Sequence, residues 1–300
     1  MTVETWLTDW LSLHKSEKRL KPRTVESYES LLRLYVFPIL GGISIEELQP
    51  LDVRHLLARI LDSGHERTAE MVWVMLKCAF KDYEDGDPMH KVPKPKHHQT
   101  SPEPWSDEEM MVYFRALDDH PHGLPLLLVL LLGLRRGEVC GLRWRDVDLV
   151  NGQIHIVNQR IQLSSGQVID APPKSFASVR WLPLPAPLIG RLKAAQGLPD
   201  AYLCALLPNG LGQAHKALTR RLGLRHIPLH GLRHSMATSC IRHGGEMRAL
   251  QALLGHSSYT VTANKYTHPD TPIKRTALDA ACRPWYTVIQ PPTHRLHADS

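Results

Sequence analysis

Four short segments of this 300-residue chain hold side chains whose types and spacing suit polar chemistry. The first is Gly133-Leu134-Arg135-Arg136-Gly137-Glu138. An apolar helix ending in Gly-Leu-Arg sets one guanidinium just past a buried segment, with Glu138 near enough to orient it. A solvated helix end, where cations are favoured, is the alternative. The second is Lys174, in Pro172-Pro173-Lys174-Ser175 ahead of a strand over 179–184. A lysine on a hairpin flank protonates a leaving oxygen when neighbouring cations lower its pKa, and otherwise is simply solvated. The third is His230-Gly231-Leu232-Arg233-His234. Positions 230, 233 and 234 share a helical face, so ring nitrogens and a guanidinium point one way. His230 and His234 also have the spacing of a zinc pair, but no acid lies between them and Arg233 would repel a dication. The fourth runs from Leu254-Gly255-His256-Ser257-Ser258 to Tyr266-Thr267-His268, with ten positions between His256 and Tyr266. Taken alone, that tyrosine is either a nucleophile or a core or interface aromatic, with Tyr259 and Tyr286 as rivals.

The order of these segments is more specific than any one of them. Arginine, hairpin lysine, His-x-x-Arg, Leu-Gly-His and then tyrosine resembles the tyrosine recombinases of the phage integrase family. GLRRGE is similar to the first arginine motif of that family and HGLRH to the second, while LGHSS and YTH follow in the same order. The resemblance covers 106–282, and KPRTVESYESLLRLYVFPILG is looser in its likeness to the family's helical core-binding domain. It implies that Arg135, Lys174, His230, Arg233, His256 and the nucleophile Tyr266 form the catalytic set.

What the resemblance implies chemically is consistent with the residue types. Attack by tyrosine on a phosphodiester gathers negative charge on two non-bridging oxygens, which Arg135 and Arg233 would clamp with permanently charged donors. His230 and His256 would add donors or move a proton. A free tyrosine has a pKa of about 10, so Tyr266 needs that positive field to react as a phenolate. Lys174 would protonate the departing 5′ oxygen. The phosphotyrosyl ester keeps the bond energy of the cut backbone, so rejoining needs no ATP. No cofactor or metal is implied. The implied partners are double-stranded DNA, a homo-tetramer in the synaptic complex, and accessory DNA-bending or directionality proteins.

The elements that must position these residues are mostly helical. Trp6, Leu7, Trp10, Leu11 and Leu13 make an apolar stripe at helical spacing, and a basic loop follows from His14 to Arg23. Thr24 is read as the cap of a second helix, with Tyr28, Leu31, Leu32 and Tyr35 facing inward. Further helical patterns cover 51–62 and 67–83, and no strand-like alternation precedes residue 90. The Pro-, Lys- and His-rich stretch 86–105 reads as a linker. Ser106 and Glu109 form a capping box that opens a new domain, and an apolar helix is expected over 123–135. Asn151-Gly152 predicts a turn between strands, with alternation over 153–158 and 179–184. From residue 186 to about Cys282 the pattern is helical again. The expected fold is mainly α with a small antiparallel β-sheet. Its parts are a helical, SAM-like core-binding domain over 1–90, a basic Pro-rich linker over 91–105, a mixed α+β catalytic domain over 106–282 and a tail over 283–300. The resemblance implies that the amphipathic helix over 272–282 packs onto a neighbouring subunit.

Composition sets outer limits. A hydrophobic share of 43% supports a sizeable core, and a formal charge of +6 suits a polyanionic partner. The five cysteines are scattered, without a C-x-x-C pair, which argues against a disulfide framework or zinc ribbon and suits a reducing cytoplasm. MTVETWLTDW has acids where a secretory signal needs bases, and the most apolar stretch, 124–134, is too short to span a bilayer. A cytoplasmic protein without membrane contact is expected. The competing functions are a Xer-type chromosome or plasmid resolvase, a type IB topoisomerase, a non-catalytic DNA-binding relic and a metal hydrolase. The lack of an arm-binding segment ahead of residue 1 leans toward the resolvase, and the linker and tail toward a mobile-element enzyme.

Overall fold

A computed structural model describes residues 1–17, 19–97, 102–173, 178–255, 274–280 and 282. The chain divides into two compact units, Met1–Ser101 and Pro102–Ser300. The first is built from helices α1 (Val3–Ser16), α2 (Pro22–Leu31), α3 (Phe37–Leu40), α4 (Pro50–Asp62) and α5 (Glu66–Ala79).

α1 begins where the Thr2 hydroxyl accepts the Thr5 N–H at 3.2 Å, and it buries Val3, Leu7, Trp10, Leu11 and His14 along one face. Two expectations are corrected here. Leu13, placed in the apolar stripe, is 53% exposed. His14, read as the start of a basic loop, lies inside α1, its Nε2 3.2 Å from Asp82, which also accepts from Trp10 Nε1 at 3.0 Å. Thr24 is not the cap of α2 either. Lys21 holds that position and Pro22 opens the helix, because its locked φ and missing N–H suit a first turn. Between α2 and α3 a π-turn spans Leu32–Val36, and the Phe37 N–H reaches back to the Leu32 carbonyl. Pro38 explains it: the ring has no N–H for the Leu34 carbonyl and crowds it, so the helix widens upstream.

Met89 and Val92 are buried on the core of the first unit, and Trp73 Nε1 donates to the Val92 carbonyl at 3.0 Å. Trp105 is buried in the second unit, where its N–H donates to Ser235 Oγ and its Nε1 to the Arg225 carbonyl. Both ends of the Pro-rich segment are therefore packed rather than loose.

The second unit opens with α6 (Asp107–Ala116), and Ser106 and Glu109 form the expected reciprocal cap. α7 (Gly123–Leu132) is apolar on every side and almost wholly buried, the composition of a central core helix. It ends three residues before the expected 135, at Gly133 in the left-handed region (φ 60°). α8 (Arg136–Gly141) follows directly. β1 (Val147–Asp148), β2 (Gln153–Ile156) and β5 (Arg180–Pro183) form an antiparallel sheet, with Ile154 opposite Leu182 and Gly152 (φ 62°) in the β1–β2 turn. A second hairpin pairs β3 (Gln159–Gln162) with β4 (Val168–Ala171). Its strands are four residues long and none of the eight residues is fully buried, so no alternation announced it. Helices α9 (Ala186–Ala194), α10 (Pro208–Arg221), α11 (Leu229–Arg242) and α12 (Met247–Leu254) complete the unit. Among the described residues no helix is long and apolar enough to cross a membrane.

The helical stretch 274–280 buries Ala277 and Leu278 in the core of its own unit, and Cys240 Sγ lies 3.1 Å from the Ala277 carbonyl. Within the single chain, this stretch of the helix expected to meet a neighbouring subunit lies against its own domain.

α10 is locked by a buried polar contact. The Tyr113 hydroxyl lies 2.9 Å from His215 Nδ1, and His215 Nε2 lies 2.9 Å from the Ile227 carbonyl. The carbonyl requires Nε2 to carry the proton, so Nδ1 accepts from the phenol and the ring is neutral. Burial pushes the His215 pKa down, the Ile227 hydrogen bond opposes this, and His226 adds to the lowering. A histidine with a depressed folded pKa contributes stability that is complete above the unfolded value of about 6.5 and is lost as pH falls below it. The urea midpoint is therefore expected to drop between pH 7 and pH 5.5, and more shallowly in His215→Gln. Equal slopes for the two proteins would refute that assignment.

Candidate active site

α7 and α12 end in the same way. Each stops at a glycine in the left-handed region, Gly133 (φ 60°) and Gly255 (φ 62°), and each leaves carbonyl oxygens without helical partners. Arginines take up these carbonyls. Arg233, on α11 and 2% exposed, donates at 2.6 Å to the Gly133 carbonyl and at 2.6 Å to the Leu254 carbonyl. Arg180, on β5, donates from Nε to the Leu253 carbonyl at 2.6 Å. Arg135, immediately before α8, donates to the Gly255 carbonyl at 3.0 Å. Cations at helix C-termini meet the negative end of the helix dipole, worth up to about 2 kcal/mol each when partly buried.

Gly133 is fixed by more than its backbone angle. A Cβ there would lie 2.4 Å from Met236 Cε and 2.8 Å from Leu254 Cδ2, so α11 and α12 close directly over it. That close approach lets Arg233 reach both helix ends at once.

One carboxylate serves this cluster. Glu138 is 1% exposed, and its Oε1 accepts from Arg135 at 2.7 Å and from Arg180 at 3.3 Å. Its Oε2 accepts the Arg135 backbone N–H at 3.0 Å and Arg180 at 3.1 Å. Burial alone would raise its pKa, but the charge and hydrogen bonds of Arg180, followed by those of Arg135, hold it below the usual carboxylate range. Among the described residues, three guanidinium groups against one carboxylate leave a net excess of two positive charges. Burial first, then Arg135 and Arg180, push the Arg233 pKa down to about 9, so it stays cationic at neutral pH.

His230 is exposed in the first turn of α11. Desolvation, then Arg233, Arg135 and His234, lower its pKa, so the ring is neutral at pH 7 and near both arginines. The structure thus brings together Arg135, His230 and Arg233. Lys174, His256 and Tyr266 lie outside the described residues. The carbonyl that Arg135 holds belongs to Gly255, the residue covalently followed by His256. Among the described residues no group of three or more His, Cys, Asp or Glu is placed to hold a metal ion.

Sequence reasoning placed Glu138 beside Arg135 but missed Arg180. The signal was available: 180 and 182 share a face of β5, and Leu182 is a core residue, so Arg180 is a charge in phase with the core.

Two family models match the chain, the phage integrase family over residues 206–272 and the phage integrase N-terminal SAM-like domain over residues 2–61. A tyrosine recombinase XerC-like protein of Caldanaerobacter subterraneus is 26% identical, covering 89% of this chain and 78% of its own. The tyrosine recombinase XerC of Alcanivorax borkumensis is 28% identical, covering 90% of this chain and 89% of its own. Among solved structures, the Tn1549 transposon integrase in complex with transposon right end DNA superposes with a TM-score of 0.70 at 21% identity, over 93% of this chain and 99% of that one. A lambda integrase dimer bound to a COC′ core site gives a TM-score of 0.67 at 18% identity, over 90% and 100%. At these identities the superpositions establish the fold. With one family match in each unit and relatives aligned along most of the chain, the class is that of enzymes that break and rejoin DNA. Both units match models of the phage integrase family, and the relatives aligned along most of the chain are tyrosine recombinases.

Removing the charge of Glu138 would leave Arg180 buried without its anion. Glu138→Gln is expected to lower unfolding stability by about 3–5 kcal/mol at pH 7, measured by urea titration with an unchanged m-value. A loss below about 1 kcal/mol would mean that the carbonyls alone suffice for Arg180.

Proposed function

We propose that this chain is a site-specific recombinase that cuts and rejoins DNA strands through a 3′-phosphotyrosyl link to Tyr266, using no ATP and no metal. The observation that carries the reading is the convergence of Arg135, Arg233 and His230 on one region, where positive charge exceeds that of the buried Glu138 carboxylate beside Arg135. About a third of the Arg135 side chain is open (32%), so this guanidinium meets the scissile phosphate directly. Arg233, behind it, contributes its charge from a dry position where electrostatic interactions are strong.

The phenolate of Tyr266 attacks phosphorus and the bond to the 5′ oxygen breaks. Lys174 gives its proton to that oxygen, and His230 and His256 support the charge on the phosphoryl oxygens. Rejoining is the same path reversed, with a 5′ hydroxyl as nucleophile. The helical unit over 1–90 serves as the core-binding domain, 91–105 as a basic linker and 106–282 as the catalytic domain. Double-stranded DNA is the substrate, and four copies act in the synapse, as in the lambda integrase tetramer bound to a Holliday junction. DNA-bending or directionality proteins assist, and the work is done in the cytoplasm. A second reading, a Xer-type chromosome or plasmid resolvase, uses the same residues. It is favoured by relatives named XerC that align with 89% and 90% of the chain.

The test is covalent trapping. Protein and DNA flanking its own gene are incubated in EDTA and quenched in SDS. A protein–DNA adduct is expected for the wild type and absent for Tyr266→Phe, and Arg233→Lys is expected to form it about 100- to 1000-fold more slowly. An adduct that survives in Tyr266→Phe would place the nucleophile elsewhere, and cleavage abolished by EDTA would overturn the metal-free mechanism. Sequencing the trapped ends gives the site.

A further inference from the structure

We propose that Arg180 is a positioning residue for the recombination reaction: its guanidinium fixes the Glu138 carboxylate, and through it aims the open edge of Arg135 at the scissile phosphate. The inference rests on the recombinase reading above. Arg180 is too deeply buried to touch DNA, with 4% of its side chain exposed. Yet its donors are spread over three separate parts of the unit. Nε donates to the Leu253 carbonyl at the end of α12, NH1 to the Ser178 carbonyl at 2.8 Å and to Glu138, and NH2 to Glu138 at 3.1 Å.

These attachment points adjoin the proposed catalytic residues. Glu138 is three positions from Arg135, Ser178 four from Lys174, and Leu253 three from His256. One planar fork therefore ties together the starting points of three catalytic segments. No other residue type has a rigid five-donor fork of this kind, so lysine could keep the charge but not the connections.

Glu138 itself is bound by Arg180 on one side and Arg135 on the other. Without Arg180 the carboxylate would have a single cation partner in a dry site. Burial would then outweigh the remaining cation, so the carboxyl would take up a proton at neutral pH and release the Arg135 guanidinium, which turns away from the phosphate. Among the described residues, the other charged groups facing this cluster are Arg233 from α11, His230 and His234 at the start of that helix, and Lys274, whose pKa is lowered by burial and then by Arg180. All of them remain in every variant below, so a new ionisation that depends on residue 138 belongs to Glu138.

The experiment uses full-length protein and a nicked duplex carrying the site mapped by trapping. It compares wild type, Arg180→Met, Arg180→Lys and the double variant Arg180→Met/Glu138→Gln for duplex affinity and for the rate of adduct formation between pH 6 and 9. For Arg180→Met, affinity is expected to stay within about threefold while cleavage at pH 7 falls about 100-fold, the scale set by misplacing a catalytic group by about 1 Å. Its rate should climb with pH along an ionisation that the wild type lacks and that the double variant loses. Arg180→Lys should be slowed at least tenfold, with a pH profile of wild-type shape. A pH-independent loss in Arg180→Met, or a loss of affinity equal to the loss of rate, would mean a purely structural role and overturn the proposal. If Arg180→Met does not fold, wild-type rates in Arg180→Lys would overturn it as well. A wild-type protein that forms no Tyr266-dependent adduct would instead count against the recombinase reading.

Discussion

The second unit depends on arginines bonding to the ends of helices. A helix leaves its final carbonyls unpaired, and in a protein interior each such oxygen must find a donor or cost stability. α7 and α12 both end inside the unit, at Gly133 and Gly255, where the chain turns sharply enough to aim those oxygens at one region. Arg135, Arg180 and Arg233 fill that region. The same bonds that complete the helices gather positive charge at one place, so folding the domain and assembling an anion-binding centre are a single process. Glu138 limits the repulsion among the cations without cancelling it.

Much of the frame was legible because it follows local rules. The Ser106–Glu109 cap, the turn at Gly152 and the helices near 51–62 and 67–83 rest on interactions between near neighbours in sequence, and the strands around 154 and 182 showed as local alternation of apolar and polar residues. The failures have equally local causes. Thr24 looked like a cap because of its type, but Pro22 two residues earlier had already set the helix start. His14 looked like loop because it is polar, yet it lies at the fifth position of the buried face of α1, one turn past Trp10. The β3–β4 hairpin has strands of only four residues with neither face fully buried, and it gave no periodic signal.

In the candidate site, the Arg135–Glu138 contact was readable because the partners are three residues apart. The Arg180–Glu138 pair spans 42 positions, and the Tyr113–His215 contact spans 102. Contacts of that separation are decided by packing, and a single sequence records only that a charge or a ring falls where the core should be. The C-terminal helix illustrates the same limit. Its amphipathic pattern stated that one face must be covered but not by which surface, and within one chain Ala277 and Leu278 find their cover on the domain's own core.

The way the arginines are anchored also bears on how such a domain drifts over evolutionary time. Their acceptors on α7 and α12 are main-chain oxygens of Gly133, Leu253, Leu254 and Gly255, and every amino acid supplies that oxygen. Leu253 and Leu254 are thus free, as far as these bonds are concerned, to become any residue that fills the core, whereas each arginine is bound to its chemistry. The burden of invariance falls on one side of each contact. A centre built this way holds its shape while most of its surroundings are rewritten, which accords with relatives that align along nine tenths of the chain with fewer than three identities in ten.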